Sequence, residues 1–168
     1  DYFTMLGSCG LDCLGDIVIN PYAYQTERSY EPITVQDLTA MAGKPRSIDA
    51  SIELARLSLA GTQNKCGLFH DPKAPLGDGW YQPVGGAPSN YIIKFAREDL
   101  HDLMIVEHLS LTCAAACGVP SAKTALLNPS RPIICVERYD RLGSASEVIN
   151  GQVAPLRQHQ DCLLYTSP

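Results

Sequence analysis

The chain has 168 residues, of which 45% are hydrophobic and 18% charged, a balance that excludes a disordered polypeptide and fits one ordinary globular domain or slightly more. A net charge of −5 argues against an extended nucleic-acid-binding surface, while leaving room for one small basic pocket that takes phosphates. Seven cysteines, Cys9, Cys13, Cys66, Cys113, Cys117, Cys135 and Cys162, are odd in number and irregular in spacing. They make a poor disulfide framework, no His or Cys pair completes a zinc site, and they read as small core residues in a reducing cytosol.

The first segment, residues 2–20, reads as strand, turn, strand, with Gly7, Gly10 and Gly15 as punctuation. Residues 21–33 are polar, carry Pro21 and Pro32, and read as a loop. A helix is expected next: Thr34 and Asp37 stand at capping-box spacing before Leu38, Ala40 and Met41, Gly43 supplies a C′ residue, and Pro45 blocks continuation. Residues 57–60 and 66–70 suit two strands flanking the polar turn Gly61-Thr62-Gln63-Asn64-Lys65. The stretch 71–79 is a Pro- and Gly-rich loop, Gly79 to Gln82 a short strand, and Pro83 to Ser89 a loop again. Tyr91-Ile92-Ile93-Lys94-Phe95 has high strand propensity, so residues 90–96 are expected to be extended. Residues 100–117 read as a helix with Asp99 as N-cap, Gly118 at C′ and Pro120 beyond it. Strands at 122–127 and 132–138 complete the order.

No signal peptide and no apolar run of membrane-spanning length is present in the sequence, which points to the cytoplasm. The chain opens on Asp1-Tyr2-Phe3 and closes on Tyr165-Thr166-Ser167-Pro168, and both ends read as edges of a fragment.

The order strand, polar turn, strand, loop, strand, helix, strand, strand is that of a kinase-type small lobe, in which a turn covers phosphates and a lysine on a later strand reaches them. The turn is not a Walker A loop, lacking the second glycine and the Lys-Ser/Thr pair. Gly61 still permits a tight turn that presents amides to an anion, Thr62, Gln63 and Asn64 add polar contacts, and Lys65 adds charge. The same turn also suits an ordinary hairpin connection. Lys94 sits in an apolar strand, where alternation places it with Ile92 and opposite Ile93 and Phe95. Such a lysine either meets an anionic partner or snorkels to solvent from an edge strand. Glu107 is the candidate partner, since on a helix it falls beside Leu103, Met104 and Leu111; a solvent-facing Glu107 is the alternative. In Pro132-Ile133-Ile134-Cys135-Val136-Glu137-Arg138-Tyr139-Asp140-Arg141 an apolar run becomes charged within one residue, as where a strand leaves the core and can offer backbone groups to a base.

Together Ser58-Leu59-Ala60-Gly61-Thr62-Gln63-Asn64-Lys65, Pro88-Ser89-Asn90-Tyr91-Ile92-Ile93-Lys94 and Val136-Glu137-Arg138-Tyr139-Asp140-Arg141 resemble the HipA-like toxin kinases of type II toxin–antitoxin systems. The resemblance is densest over 55–141; Leu6 to Asp16 also resembles the family's amino-terminal subdomain, and His159-Gln160-Asp161 the start of its His-Gln-Glu-Asp motif with the Glu missing. It implies an α+β fold: a protein-kinase-like, phosphoinositide-kinase-like small lobe at 51–161, preceded by a β-rich subdomain with one helix at 1–50 and truncated before the all-helical lobe. Residues 162–168 then read as a non-native tail. It further implies a serine/threonine protein kinase using ATP and Mg²⁺, with Ala60, Gly61, Thr62, Gln63, Asn64 and Lys65 covering the phosphates and Lys94 contacting them. Glu137, Arg138 and Tyr139 would form the hinge around adenine, and Ser58 would be the autophosphorylated serine that switches the kinase off. The catalytic Asp and the metal ligands are expected in the missing lobe, so the fragment alone would be inactive. Implied partners are an antitoxin-like DNA-binding protein and a protein substrate such as an aminoacyl-tRNA synthetase. The alternative is a short non-catalytic module that binds the antitoxin-like protein. Two departures from the family are visible: Cys66 replaces a larger apolar residue, and Tyr91 a frequent histidine.

Overall fold

The computed structural model describes residues 28–42, 65–84, 87–96, 100, 102–128 and 132–139, and the backbone of four two-residue strands beyond them. The segment 2–20, the strand at 57–60, Ser58, residues 60–64, the Asp99 cap and everything from His159 onward lie outside the described residues.

In chain order the elements are β1 (Ser29–Ile33), α1 (Val35–Ala42), β2 (Lys65–His70), β3 (Trp80–Val84), β4 (Tyr91–Phe95), α2 (Asp102–Ala116), β5 (Thr124–Leu127) and β6 (Ile133–Glu137). The short strands β7 (Arg141–Leu142), β8 (Val148–Ile149), β9 (Gln152–Val153) and β10 (Arg157–Gln158) follow. The first six strands form one antiparallel sheet in the order β1-β3-β2-β4-β6-β5. The others make two small antiparallel pairs, β7 with β10 and β8 with β9.

Among the described residues, each face of the sheet carries one helix. On one face Leu38 of α1 packs with Cys66, Leu68, Trp80, Ile93, Phe95, Leu127, Ile133 and Cys135. On the other, Met104 of α2 packs with Ala96, Ile134 and Val136, and farther along the sheet Tyr30, Phe69, Tyr81 and Ala87 form a second patch. Central β2 is covered on both sides, so every residue from Cys66 to His70 is buried. Burial of this kind, at about 25 cal/mol per Å² of apolar surface, is what holds the layers together.

Local chemistry explains the helix ends. Thr34 Oγ1 accepts the Asp37 N–H at 3.1 Å while Asp37 Oδ2 accepts the Thr34 N–H at 3.0 Å, a reciprocal cap of α1. Those bonds to Thr34 hold the Asp37 carboxyl below its ordinary pKa. At the end of α2, Val119 N–H bonds to Ala114 O and Gly118 N–H to Ala115 O, each at 3.0 Å. This closure needs the left-handed φ of 79° at Gly118.

Several boundaries differ from the sequence expectation, and three of them have a physical reason in the sheet. The end of the presumed loop at 21–33 is strand: Ser29–Ile33 pairs with β3, and Pro32 is tolerated because β1 is the sheet's edge. The strand expected to end at Gln82 runs to Val84, since Pro83 lies past the two β2–β3 register pairs and faces Tyr30 of β1. Lys65, placed by sequence in the turn, is the first residue of β2, paired in register with Lys94. The pairing of Cys66 with Ile93 continues one residue further, to Lys65 and Lys94, which brings Lys65 into the ladder on the opposite face.

Candidate functional site

Register fixes which side chains share a face, because directly opposed residues of antiparallel strands point the same way. Lys94 is opposite Lys65 on one side and Ile134 on the other, and Ile134 lies under α2. Both lysines therefore stand on the α2 face. Glu107, on the second turn of that helix, reaches down, and its Oε1 takes a hydrogen-bonded ion pair from Lys94 Nζ. Each side chain of the pair is 23% exposed, so the contact is largely shielded but open at one end. α2 is itself latched to β5, with His108 Nδ1 at 2.8 Å from Thr124 Oγ1.

Register thus brings two ammonium groups, those of Lys65 and Lys94, to one face beside the Glu107 carboxylate. Burial and the charge of Lys94 push the Lys65 ammonium below its ordinary pKa, partly opposed by Glu107. Like charges in directly opposed strand positions are destabilising, and an anion lying between them would remove the repulsion.

The hinge candidates are arranged differently. Glu137 is opposite Tyr91 in register, on the α1 face, and its carboxylate pairs at 3.5 Å with the exposed Lys123 ammonium. Its charge, after burial, raises the Tyr91 phenol's pKa, with Cys135 adding to it. The Glu137 N–H donates to Lys123 O at 2.8 Å and the Arg138 N–H to Asn90 O at 2.9 Å. Arg138 is 3% exposed, with Nη1 donating to Ser89 Oγ at 2.8 Å, whereas Tyr139 is 47% exposed. The structure thus brings Lys65, Lys94 and Glu107 together on one face. The Glu137 side chain lies on the other face, and Arg138 turns inward at the strand's end. Ser58 and residues 60–64 lie outside the described residues.

Two features were not evident in the sequence. The opposition of Lys65 to Lys94 depends on strand register, which no local pattern gives. The bonding of Ser89 and Asn90 was signalled only by their place in a motif. Among the described residues no group of three or more His, Cys, Asp and Glu side chains is placed to hold a metal ion, and no helix is long and apolar enough to cross a membrane. Cys135, buried beside Cys66, has its thiol pushed up to about 12, mainly by burial.

The family model described as HipA-like C-terminal domain matches residues 57–164, more than half of the chain. Among solved structures, the chain is similar to one from the Shewanella oneidensis MR-1 toxin–antitoxin system, a complex of HipA, HipB and operator DNA. The identity is 27% and the TM-score 0.66, over 95% of this chain and 35% of that one. The chain thus spans about a third of the length of the structure it matches. Comparison with curated proteins gave no match.

Proposed function

This chain belongs to the HipA-like C-terminal domain family, and on that premise we propose that it is the nucleotide-binding part of an ATP-dependent serine/threonine protein kinase from a toxin–antitoxin module. The observation that carries the reading is the pair of opposed lysines, Lys65 and Lys94, held on one sheet face with the Glu107 carboxylate between sheet and helix. In a kinase-like small lobe, Glu107 keeps Lys94 extended toward the phosphates, Lys65 neutralises a second oxygen, and residues 60–64 close over them. The strand end at Glu137, Arg138 and Tyr139 borders the base, with the Arg138 side chain turned into the fold. Mg²⁺ would supply further charge neutralisation when bound; its ligands and the catalytic Asp belong to the rest of a family-length protein, as do autophosphorylation at Ser58 and the choice of protein substrate, such as an aminoacyl-tRNA synthetase.

The partner this reading implies is an antitoxin-like DNA-binding protein in the cytoplasm, by analogy with the matched complex of HipA, HipB and operator DNA. A purely non-catalytic module for that partner is the competing reading, and the two differ in what Lys94 is for. The test is displacement of a fluorescent ATP analogue from the chain by ATP. Lys94→Met is expected to weaken ATP by at least about tenfold, the weight of one charge-assisted hydrogen bond. Unchanged ATP affinity in that variant would sink the nucleotide reading and favour the interaction module.

A further inference from the structure

The turn Pro88-Ser89-Asn90 has no part in the phosphate chemistry above, yet it is densely bonded. Asn90 makes four hydrogen bonds that join three strands. Its N–H donates to Leu68 O at 3.1 Å, and its carbonyl accepts the Arg138 N–H at 2.9 Å. Its side-chain Oδ1 accepts the His70 N–H at 2.7 Å, and Nδ2 donates to His70 O at 2.9 Å. The β2–β4 ladder ends at Leu68 opposite Tyr91, so the Asn90 carboxamide stands in for the missing strand residue and carries the ladder on to His70. Ser89 is fully buried, and its hydroxyl accepts a bond from the Arg138 guanidinium at 2.8 Å. From β1, the Tyr30 hydroxyl donates to Pro88 O at 2.6 Å and pins the turn.

An arginine where a strand leaves the core ordinarily reaches for water. Arg138 instead folds inward, with its N–H on Asn90 and its guanidinium on Ser89. Arg138 is the middle residue of the segment assigned to the base. We propose that Ser89 and Asn90 are positioning residues for that segment: by clasping Arg138 through both main chain and side chain, they set where Glu137 and Tyr139 stand. Arg138 is then an anchor and not itself a contact to the nucleotide. This inference rests on the nucleotide-binding reading.

The clasp and the lysine pair are separated along β4, since Tyr91 faces Glu137 whereas Lys94 lies three residues on, roughly 10 Å at strand rise. Loosening the clasp should therefore cost the adenine end of a ligand and spare the phosphate end. The experiment measures dissociation constants of the full chain for ATP and for inorganic triphosphate, with thermal midpoints recorded in parallel. The proteins are wild type, Ser89→Ala, Arg138→Met and the double variant, and Asn90→Asp, which keeps the acceptor for His70 N–H but loses the donor to His70 O. Ser89→Ala should weaken ATP about tenfold, the weight of one hydrogen bond to a charged group, and triphosphate less than about twofold. Arg138→Met should show the same split, which keeps the test alive if Ser89→Ala folds poorly; Asn90→Asp, whose hold on Arg138 is through the main chain, should show a smaller one. The double variant should be no weaker for ATP than Arg138→Met alone, because the serine acts through the arginine. Equal loss of both ligands, or additive losses in the double variant, would overturn the positioning role. Wild type that binds triphosphate as tightly as ATP would also overturn it while sparing the lysine site. Wild type that binds neither ligand removes the nucleotide reading itself, and this inference with it.

Discussion

Replacing Lys65 by methionine should raise stability slightly while weakening phosphate binding. Lys65 lies directly across from Lys94 in the β2–β4 register. Like charges so placed cost about 0.2–1 kcal/mol, and attraction to Glu107 returns part of that. A net gain of about 0.5 kcal/mol is expected on removing Lys65. For a chain of 168 residues that is a rise of about 1–2 °C in Tm. The lost charge-assisted bond, about 1.5–3 kcal/mol, should weaken triphosphate or ATP by roughly ten- to a hundredfold. Thermal melting with and without ligand reads both effects. Wild type at a ligand concentration of about 100 Kd should gain about 2.7 kcal/mol, and Lys65→Met at the same concentration far less. The proton linkage has a definite sign. The Lys65 pKa is lowered in the folded chain, so between that value and 10.5 the unfolded state holds more protons and this residue's contribution to stability rises with pH. A bound anion favours the ammonium and opposes that slope, and Lys65→Met removes this component altogether. A variant that melts several degrees lower and keeps the full ligand-induced shift would refute the account, showing Lys65 to be structural.

Glu107→Gln should do the opposite to stability, because it leaves both ammonium groups facing each other without the carboxylate. With each partner 23% exposed, the loss should lie between that of an exposed and of a buried pair, about 2 kcal/mol by urea unfolding, and should shrink at 1 M salt. Gly79→Ala should cost about 1–2 kcal/mol in the same assay, since φ is +71° and a Cβ there would fall 2.3 Å from that of Ala74; a neutral result would show that the 71–79 loop repacks freely. Among the four described cysteines, Cys113 and Cys117 are exposed, whereas Cys66 and Cys135 are buried. Iodoacetamide at neutral pH, mapped by mass spectrometry, should label the first two and spare the others until the chain unfolds, and early labelling of Cys135 would contradict its core position.

Local patterns carried much of the fold and only part of the site. Thr34 with Asp37, and Gly118 after α2, marked helix ends because capping is chemistry between near neighbours. Alternation around Ile93 and Phe95 put Lys94 on the opposite face for the same reason. What was illegible depends on contacts far apart in sequence. Ser29–Ile33 looked like loop because Pro32 weakens any strand signal, and only its place at the sheet edge makes it acceptable. Lys65 looked like a turn residue until β4 supplied the pairing. Arg138 read as a charge at a strand exit; its inward course follows from Ser89 and Asn90, more than forty residues earlier.

The lysine site is tested most directly by an acyl phosphate of ATP, whose reactive carbonyl sits at the phosphate end and is attacked by a nearby lysine amine, forming an amide and releasing ATP. Acylation is expected at Lys65 and Lys94, read by peptide mass, with both suppressed by excess ATP. Labelling that falls instead on exposed lysines such as Lys123, with no protection by ATP, would contradict it.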